Sequence, residues 1–95
     1  MITHIVLFRL KDRRPESVEE ARRRLASLMG RVESLRSLEV GADVLHKERS
    51  YDIALTARFA SLDGLEAYQL HPYHVEVGGW IKGRSEAIAA VDYES

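Results

Sequence analysis

The stretch Tyr51-Asp52-Ile53-Ala54-Leu55-Thr56-Ala57-Arg58-Phe59-Ala60 decides the fold, because it is the clearest strand pattern in this chain of 95 residues. Its side chains alternate between two sets, as in a strand that buries one face. One set is Tyr51, Ile53, Leu55, Ala57 and Phe59, and the other is Asp52, Ala54, Thr56 and Arg58. The sequence therefore predicts a half-buried strand, and the neighbouring elements follow from it in both directions.

Three further strands are predicted on either side of that strand. Residues 2–10 are rich in β-branched and large apolar side chains. Residues 38–46 form a less regular strand, in which Gly41 suggests a bulge or a close backbone approach. Residues 86–93 supply a fourth strand, which completes a four-stranded sheet.

Helices are predicted between the strands. The first opens with a capping box at residues 17–20 and continues at helical spacing to about Leu35. Ser61 caps a second helix that reaches about Leu70, and residues 74–81 form a further helical segment. The order is βαββαβ, which predicts an α+β ferredoxin-like fold with a four-stranded antiparallel sheet, in a single domain over residues 1–95.

Composition narrows the class of protein. The chain is 45% hydrophobic and 31% charged with a net charge of −1, which is ordinary for a soluble globular domain. It has no cysteine, so disulfides and thiolate chemistry are excluded and a reducing cytoplasm is the expected location. The interspersed charges give no reason to expect nucleic acid or a membrane surface as a partner, and the first residues do not resemble a signal peptide.

The first and last strands carry apolar residues on both faces. Ile5 and Leu7 lie on the opposite face to Val6 and Phe8, and residues 86–93 repeat this arrangement. Two helices cover only one face of a four-stranded sheet, and monomers rarely leave a large apolar patch in water. The sequence therefore predicts a homodimer that pairs the uncovered sheet faces.

The chemistry is concentrated in the stretch Tyr68-Gln69-Leu70-His71-Pro72-Tyr73-His74. The residue before a proline leaves the helical region and proline suits the start of a helix, so the chain is expected to bend at His71. Two histidines and a phenol at such a bend can exchange protons near neutral pH. The alternative is a helix end at which these rings pack and hydrogen-bond locally.

His4 allows two interpretations as well. On an inner position of the first strand it is either a core residue or part of the same site as Tyr68 and His74. A metal site is not expected, because His71 and His74 lack the i, i+4 spacing of zinc-binding helices. No cofactor is expected either.

Four segments of the chain carry a resemblance to a known family. They are Thr3–Asp12, Tyr51–Leu55 with Phe59, His71–Val75 and Val91–Tyr93, in this order along the chain. Together they resemble the stress-responsive alpha/beta barrel (Dabb) domain family. The resemblance implies a ferredoxin-like chain that dimerises into an α+β barrel and a link to stress response.

Some members of that family are cyclases acting on linear polyketides. The resemblance implies that His74 is the catalytic base and Tyr68 its hydrogen-bonding partner, with His4 and His71 as substrate-binding residues. The first helix departs from the cyclases, because it lacks the bulky aromatic residues that line their pocket.

Three functions are left open by the sequence. The first is binding of a small, partly apolar carbonyl compound, with possible cyclase- or lyase-like catalysis. The second is a non-catalytic structural or ligand-sequestering barrel. The third function is that of the haem-binding or cofactor-free oxygenases of the same superfold.

Overall fold

A four-stranded antiparallel sheet with its helices on one face organises the computed structural model, which describes residues Met1 to Ser95. The strands are β1 (Ile2–Leu10), β2 (Ser37–Ala42), β3 (Ile53–Phe59) and β4 (Ser85–Glu94). The helices are α1 (Pro15–Ala26), α2 (Leu62–Leu70) and α3 (Pro72–Arg84). The strand order is β2-β3-β1-β4. The predicted ferredoxin-like fold is confirmed, with its second helical region divided into α2 and α3.

The core lies between the inner face of the sheet and the helices. β3 contributes a full alternating set of buried side chains, Ile53, Leu55, Ala57 and Phe59. Because each large apolar side chain that is buried stabilises the fold by about 1.5–3 kcal/mol, this strand anchors the structure. The alternation that predicts β3 from sequence is therefore the alternation that fills the core.

The start of α1 differs from the predicted capping box. The helix begins at Pro15 with Arg14 as N-cap, and no side chain caps it. The Ser17 hydroxyl instead donates to Oδ2 of Asp12 at 2.6 Å, so the box at residues 17–20 is wrong. Proline at the first helical position, with its fixed φ and no N–H to satisfy, sets the start three residues earlier.

The end of α1 also differs, because the helix stops at Ala26 and not near Leu35. Residues 27–36 form turns, in which the N–H groups of Leu28 and Leu35 reach back three residues, and Gly30 adopts a positive φ of 89°. Apolar residues spaced three or four apart can be buried by a run of turns just as they are by a helix. Leu28, Val32 and Leu35 are buried for this reason.

β2 is shorter than predicted and regular. It ends at Ala42, and its pairing with β3 is in continuous register through Gly41, so the bulge expected there is wrong. After it, the chain turns through His46, whose φ is 53° and whose N–H donates to Oδ2 of Asp43 at 2.6 Å. The register shift in the sheet lies instead at Arg9/Leu10 of β1.

The predicted break at His71 is confirmed. His71 is extended, with φ −61° and ψ 133°, and it closes α2 while capping α3, which starts at Pro72. Ser61 caps α2 as expected, accepting from the N–H of Gly64 at 3.3 Å. α3 is longer than the predicted 74–81.

A buried carboxylate joins the end of β1 to the start of β3. Asp52 is 4% exposed and accepts from the N–H of Leu10 at 2.8 Å and from Nε of Arg13 at 2.9 Å and 3.1 Å. Its own N–H donates to the carbonyl of Phe8 at 2.8 Å. This cluster, Asp52 with Leu10 and Arg13, is the Asp52 latch.

No helix covers the outer face of the sheet. Ile5 and Leu7 of β1 lie beside Val91 and Ala89 of β4, and Leu7 and Val91 are 36% and 53% exposed. The patch is continuous and apolar. None of the helices is long and apolar enough to cross a membrane.

Candidate functional site

A half-enclosed cavity of about 180 Å³ lies between the inner face of the sheet and the helices α1, α2 and α3. Most of its wall is apolar, with Val6, Phe8, Leu28, Leu55, Val77 and Ile81 among its lining residues. Three aromatic polar residues, His4, Tyr68 and His74, line it as well. The structure therefore brings together three of the four site residues that the sequence predicts.

Tyr68 lines the cavity and is held there by packing alone. It projects from α2, is 1% exposed, and its ring centroid lies 4.9 Å from Phe59 and 4.4 Å from His74. Its hydroxyl makes no hydrogen bond within the chain. Burial raises the pKa of Tyr68 to about 12, so the hydroxyl is protonated at neutral pH and can donate to a ligand.

His74 lies in the first turn of α3, just after the break at His71. Burial lowers the pKa of His74, and the charges of His4 and His71 add to the shift, whereas the backbone carbonyl of Gln69 opposes it. Its Nδ1 is buried and has no hydrogen-bond partner. Nε2 has no hydrogen-bond partner within the chain either and is not buried in this way, so it is the ring nitrogen that a ligand can reach. A neutral imidazole with such a free nitrogen is the form that a general base requires.

The helix leaves space beside His74. Gly78, one turn later and also at the cavity, has no side chain, and a Cβ there would lie 3.8 Å from Cε1 of His74. Gly79 faces open space. These two adjacent glycines of α3 therefore have different surroundings, and only Gly78 borders the site.

His4 is held from the neighbouring strand. It is 7% exposed, and its Nδ1 is hydrogen-bonded to Oδ1 of Asp92, the residue directly opposite on β4. Its ring centroid lies 6.1 Å from that of Tyr68 in an edge-on arrangement. Alternation along β4 puts Asp92 on the same face as Ile88 and Ala90, but only the register of β4 against β1 places it opposite His4.

His71 lies apart from the other three. It does not line the cavity; its Nδ1 accepts from the N–H of Tyr73 at 3.1 Å, and its Nε2 lies 3.9 Å from Oε2 of Glu33. The ring thus acts as the cap of α3. No group of three or more His, Cys, Asp or Glu side chains is arranged to hold a metal ion.

Fold and cavity define a class: ferredoxin-like α+β proteins that enclose histidine and tyrosine side chains between sheet and helices. Within this class, the sequence model described as the Stress responsive A/B Barrel Domain matches residues 2–95. The chain belongs to this family, as its motifs predict. No curated protein matches the chain.

Solved structures share the fold along the whole chain. A dimeric ferredoxin-like protein of unknown function from Thermobifida fusca is 33% identical, with a TM-score of 0.86 over 99% of this chain and 90% of that one. A protein from Arabidopsis thaliana is 26% identical, with a TM-score of 0.86 over 100% and 95%. The hydroxynitrile lyase of Passiflora edulis, at 16% identity, has a TM-score of 0.83 over 97% and 90%, and shares the fold.

Proposed function

We propose that the protein binds a small, partly apolar carbonyl compound in its cavity and catalyses proton transfer on it, in a cyclase- or lyase-like reaction. One observation carries the proposal: the rings of Tyr68 and His74 lie 4.4 Å apart in a mostly apolar cavity, and neither the Tyr68 hydroxyl nor Nε2 of His74 makes a hydrogen bond within the chain. Polar groups that line an apolar cavity usually have partners, so a ligand with a hydrogen-bonding group is expected to supply them here.

The protonation states suit this chemistry. His74 is neutral because burial lowers its pKa, so it can remove a proton from the carbon next to a carbonyl. Tyr68 keeps its proton because burial raises its pKa to about 12, so it can donate to the oxygen that becomes negative. His4 is proposed to contact the substrate, and for His71 that role stays a prediction.

The volume of the cavity sets the size of the ligand. An apolar cavity of about 150 Å³ holds a benzene molecule. At about 180 Å³, this cavity fits a single ring with a short carbonyl substituent. Leu25 and Leu28 of its wall stand where a larger substrate would need more room.

Deuterium exchange tests the chemistry without knowledge of the natural substrate. Acetophenone is incubated with the protein in D₂O near neutral pH, and loss of its methyl proton signal is followed by NMR. We expect exchange above the buffer rate, and a fall of about 10²–10⁴-fold in His74→Ala and Tyr68→Phe. His46→Ala, which removes an exposed imidazole outside the cavity, is the matched control.

Two outcomes would count against catalysis. Exchange at the buffer rate despite binding of acetophenone would favour a ligand-sequestering barrel. Full activity in His74→Ala would remove the assigned base. Tyr68→Phe should fold normally, because the hydroxyl that it removes makes no hydrogen bond within the chain.

We further propose a homodimer that buries the outer face of the sheet, in a cytoplasmic protein. The support is the apolar patch around Ile5, Leu7 and Val91, together with the dimeric relatives from Thermobifida fusca and Bacteroides fragilis. The cavity lies on the other face of the sheet. Such a dimer would therefore leave the wall of the cavity intact.

Sedimentation of Leu7→Lys tests the dimer. An unpaired ammonium buried in the interface costs several kcal/mol. We therefore expect the dissociation constant of the dimer to rise about 100-fold or more. Leu62→Lys, at an exposed leucine of α2, is the control. Equal sedimentation of both variants and the unmodified protein would contradict the proposed interface.

A further inference from the structure

The contact between His4 and Asp92 fixes the tautomer of the His4 ring as well as its position. The two residues form a cross-strand pair on the inner face, and Nδ1 of His4 is bonded to Oδ1 of Asp92. A carboxylate offers acceptors only, so the proton in this hydrogen bond belongs to Nδ1. In the neutral ring, Nε2 is then left with a lone pair and acts as an acceptor.

That acceptor has no partner in the protein. Nε2 of His4 makes no hydrogen bond within the chain, although the residue is only 7% exposed and lines the cavity. Across the cavity, the Tyr68 hydroxyl is a donor without a partner, and the two ring centroids are 6.1 Å apart. An acceptor and a donor without partners therefore belong to two residues that line the same small, mostly apolar cavity.

We infer that Asp92 is a positioning residue that holds His4 as a hydrogen-bond acceptor, and that the cavity takes a carbonyl compound that also carries a hydroxyl group. The carbonyl oxygen accepts from Tyr68, and the hydroxyl donates to Nε2 of His4. This inference rests on the proposed function and narrows its substrate class to hydroxy-carbonyl compounds.

The pairing also explains how such a site discriminates. A ligand without the hydroxyl leaves the His4 acceptor unpaired in an apolar space, and an unmet polar group in such a site weakens binding more than a lost apolar contact does. A ligand with the hydroxyl satisfies both protein groups at once. The preference depends on the tautomer, and hence on Asp92.

The first experiment determines the tautomer by ¹⁵N NMR of the His4 ring, assigned with His4→Phe. We expect the proton on Nδ1 in the unmodified protein, and a shift of population toward Nε2–H in Asp92→Val. Valine suits an edge strand and removes both acceptors. Glu94→Val, the next residue on the same face of β4, removes a carboxylate that does not contact His4 and is the control.

The second experiment compares two ligands that differ by one hydroxyl, acetophenone and 2-hydroxy-1-phenylethanone, by NMR titration. We expect the hydroxyketone to bind about tenfold more tightly. This preference should disappear in Asp92→Val and His4→Phe and persist in Glu94→Val. A merely structural Asp92 would weaken both ligands equally and leave their ratio unchanged.

The outcomes separate this inference from the proposed function. A proton on Nε2 of His4 in the unmodified protein, or equal affinity for the two ketones, would overturn the inference while binding and exchange of acetophenone could still stand. Failure of both ketones to bind would overturn the proposed function, and the substrate class with it. The tautomer in the unmodified protein decides the role of Asp92 even if Asp92→Val does not fold.

Discussion

Two buried polar clusters lie toward opposite ends of β1 and differ in how well their atoms are satisfied. In the Asp52 latch, the carboxylate accepts from the Leu10 N–H and from the Arg13 guanidinium at 2.8–3.1 Å. In the cavity, the Tyr68 hydroxyl and Nδ1 of His74 have no partners. The same sheet thus carries one cluster that is complete within the protein and one that is not.

The difference separates stability from function. A buried polar group with all its partners contributes to stability and specifies the fold, whereas one without a partner costs about 1–3 kcal/mol. A protein that keeps such a cost offsets it elsewhere, and functional sites are where this is expected. The latch should therefore respond to mutation in stability, and the cavity in binding and catalysis.

The largest expected effect on stability is at the latch. Asp52→Ala leaves the Leu10 N–H buried without a partner and the Arg13 guanidinium without its carboxylate, so the free energy of unfolding should fall by about 3 kcal/mol. Urea denaturation measures it. Glu66→Ala, at an exposed position of α2, should change the value by about 0.5 kcal/mol or less. Similar losses in the two variants would refute the special role of the latch.

A smaller effect is expected from pH at the cavity. The pKa of His74 is lowered on folding from 6.5, so below that pH the unfolded chain binds a proton that the folded protein does not. The stability contributed by the neutral ring is present above pH 6.5 and is lost as the pH falls toward the lower, folded value. Urea denaturation at pH 7.5 and 5.5 should show this loss, and His74→Gln should reduce it. An unchanged pH dependence in His74→Gln, with His46→Gln as control, would contradict the assignment.

The smallest expected effects come from a matched pair of glycines in α3. Alanine at Gly78 or Gly79 should stabilise the protein by about 0.4–1 kcal/mol, because each lies inside a helix and has room for a Cβ. Only Gly78→Ala places a methyl group 3.8 Å from Cε1 of His74, so it alone should perturb the NMR signals of His74 and reduce ligand affinity. Equal effects on binding would show that the space at Gly78 is not part of the site.

Strong local patterns made much of the fold predictable. Alternation identified β3, and the β-branched and large apolar residues of positions 2–10 identified β1. The pair His71-Pro72 identified the break between α2 and α3. The end of α1 was not predictable in the same way. Residues 27–36 bury side chains at the spacing of a helix while the backbone follows turns, so the apolar pattern alone does not distinguish the two.

The candidate site was predictable in its residue types and less so in its geometry. Tyr68 and His74 come together because they flank one bend, which the sequence shows directly. His71 is at the same bend, but its ring turns to cap α3. Asp92 required the register of β1 against β4, a pairing of residues 88 positions apart that no local pattern specifies.

That pairing has a consequence for how the protein folds. β1 is a central strand only when β4 is in place beside it, and the β1–β4 register joins the most distant parts of the chain. Contacts of such long sequence separation form slowly, since a large loop must close first. Until they form, β1 is an unprotected sheet edge that can pair with other chains, and His4 has no carboxylate beside it. The His4–Asp92 part of the site therefore exists only once β4 has docked, and conditions that delay this docking should favour aggregation.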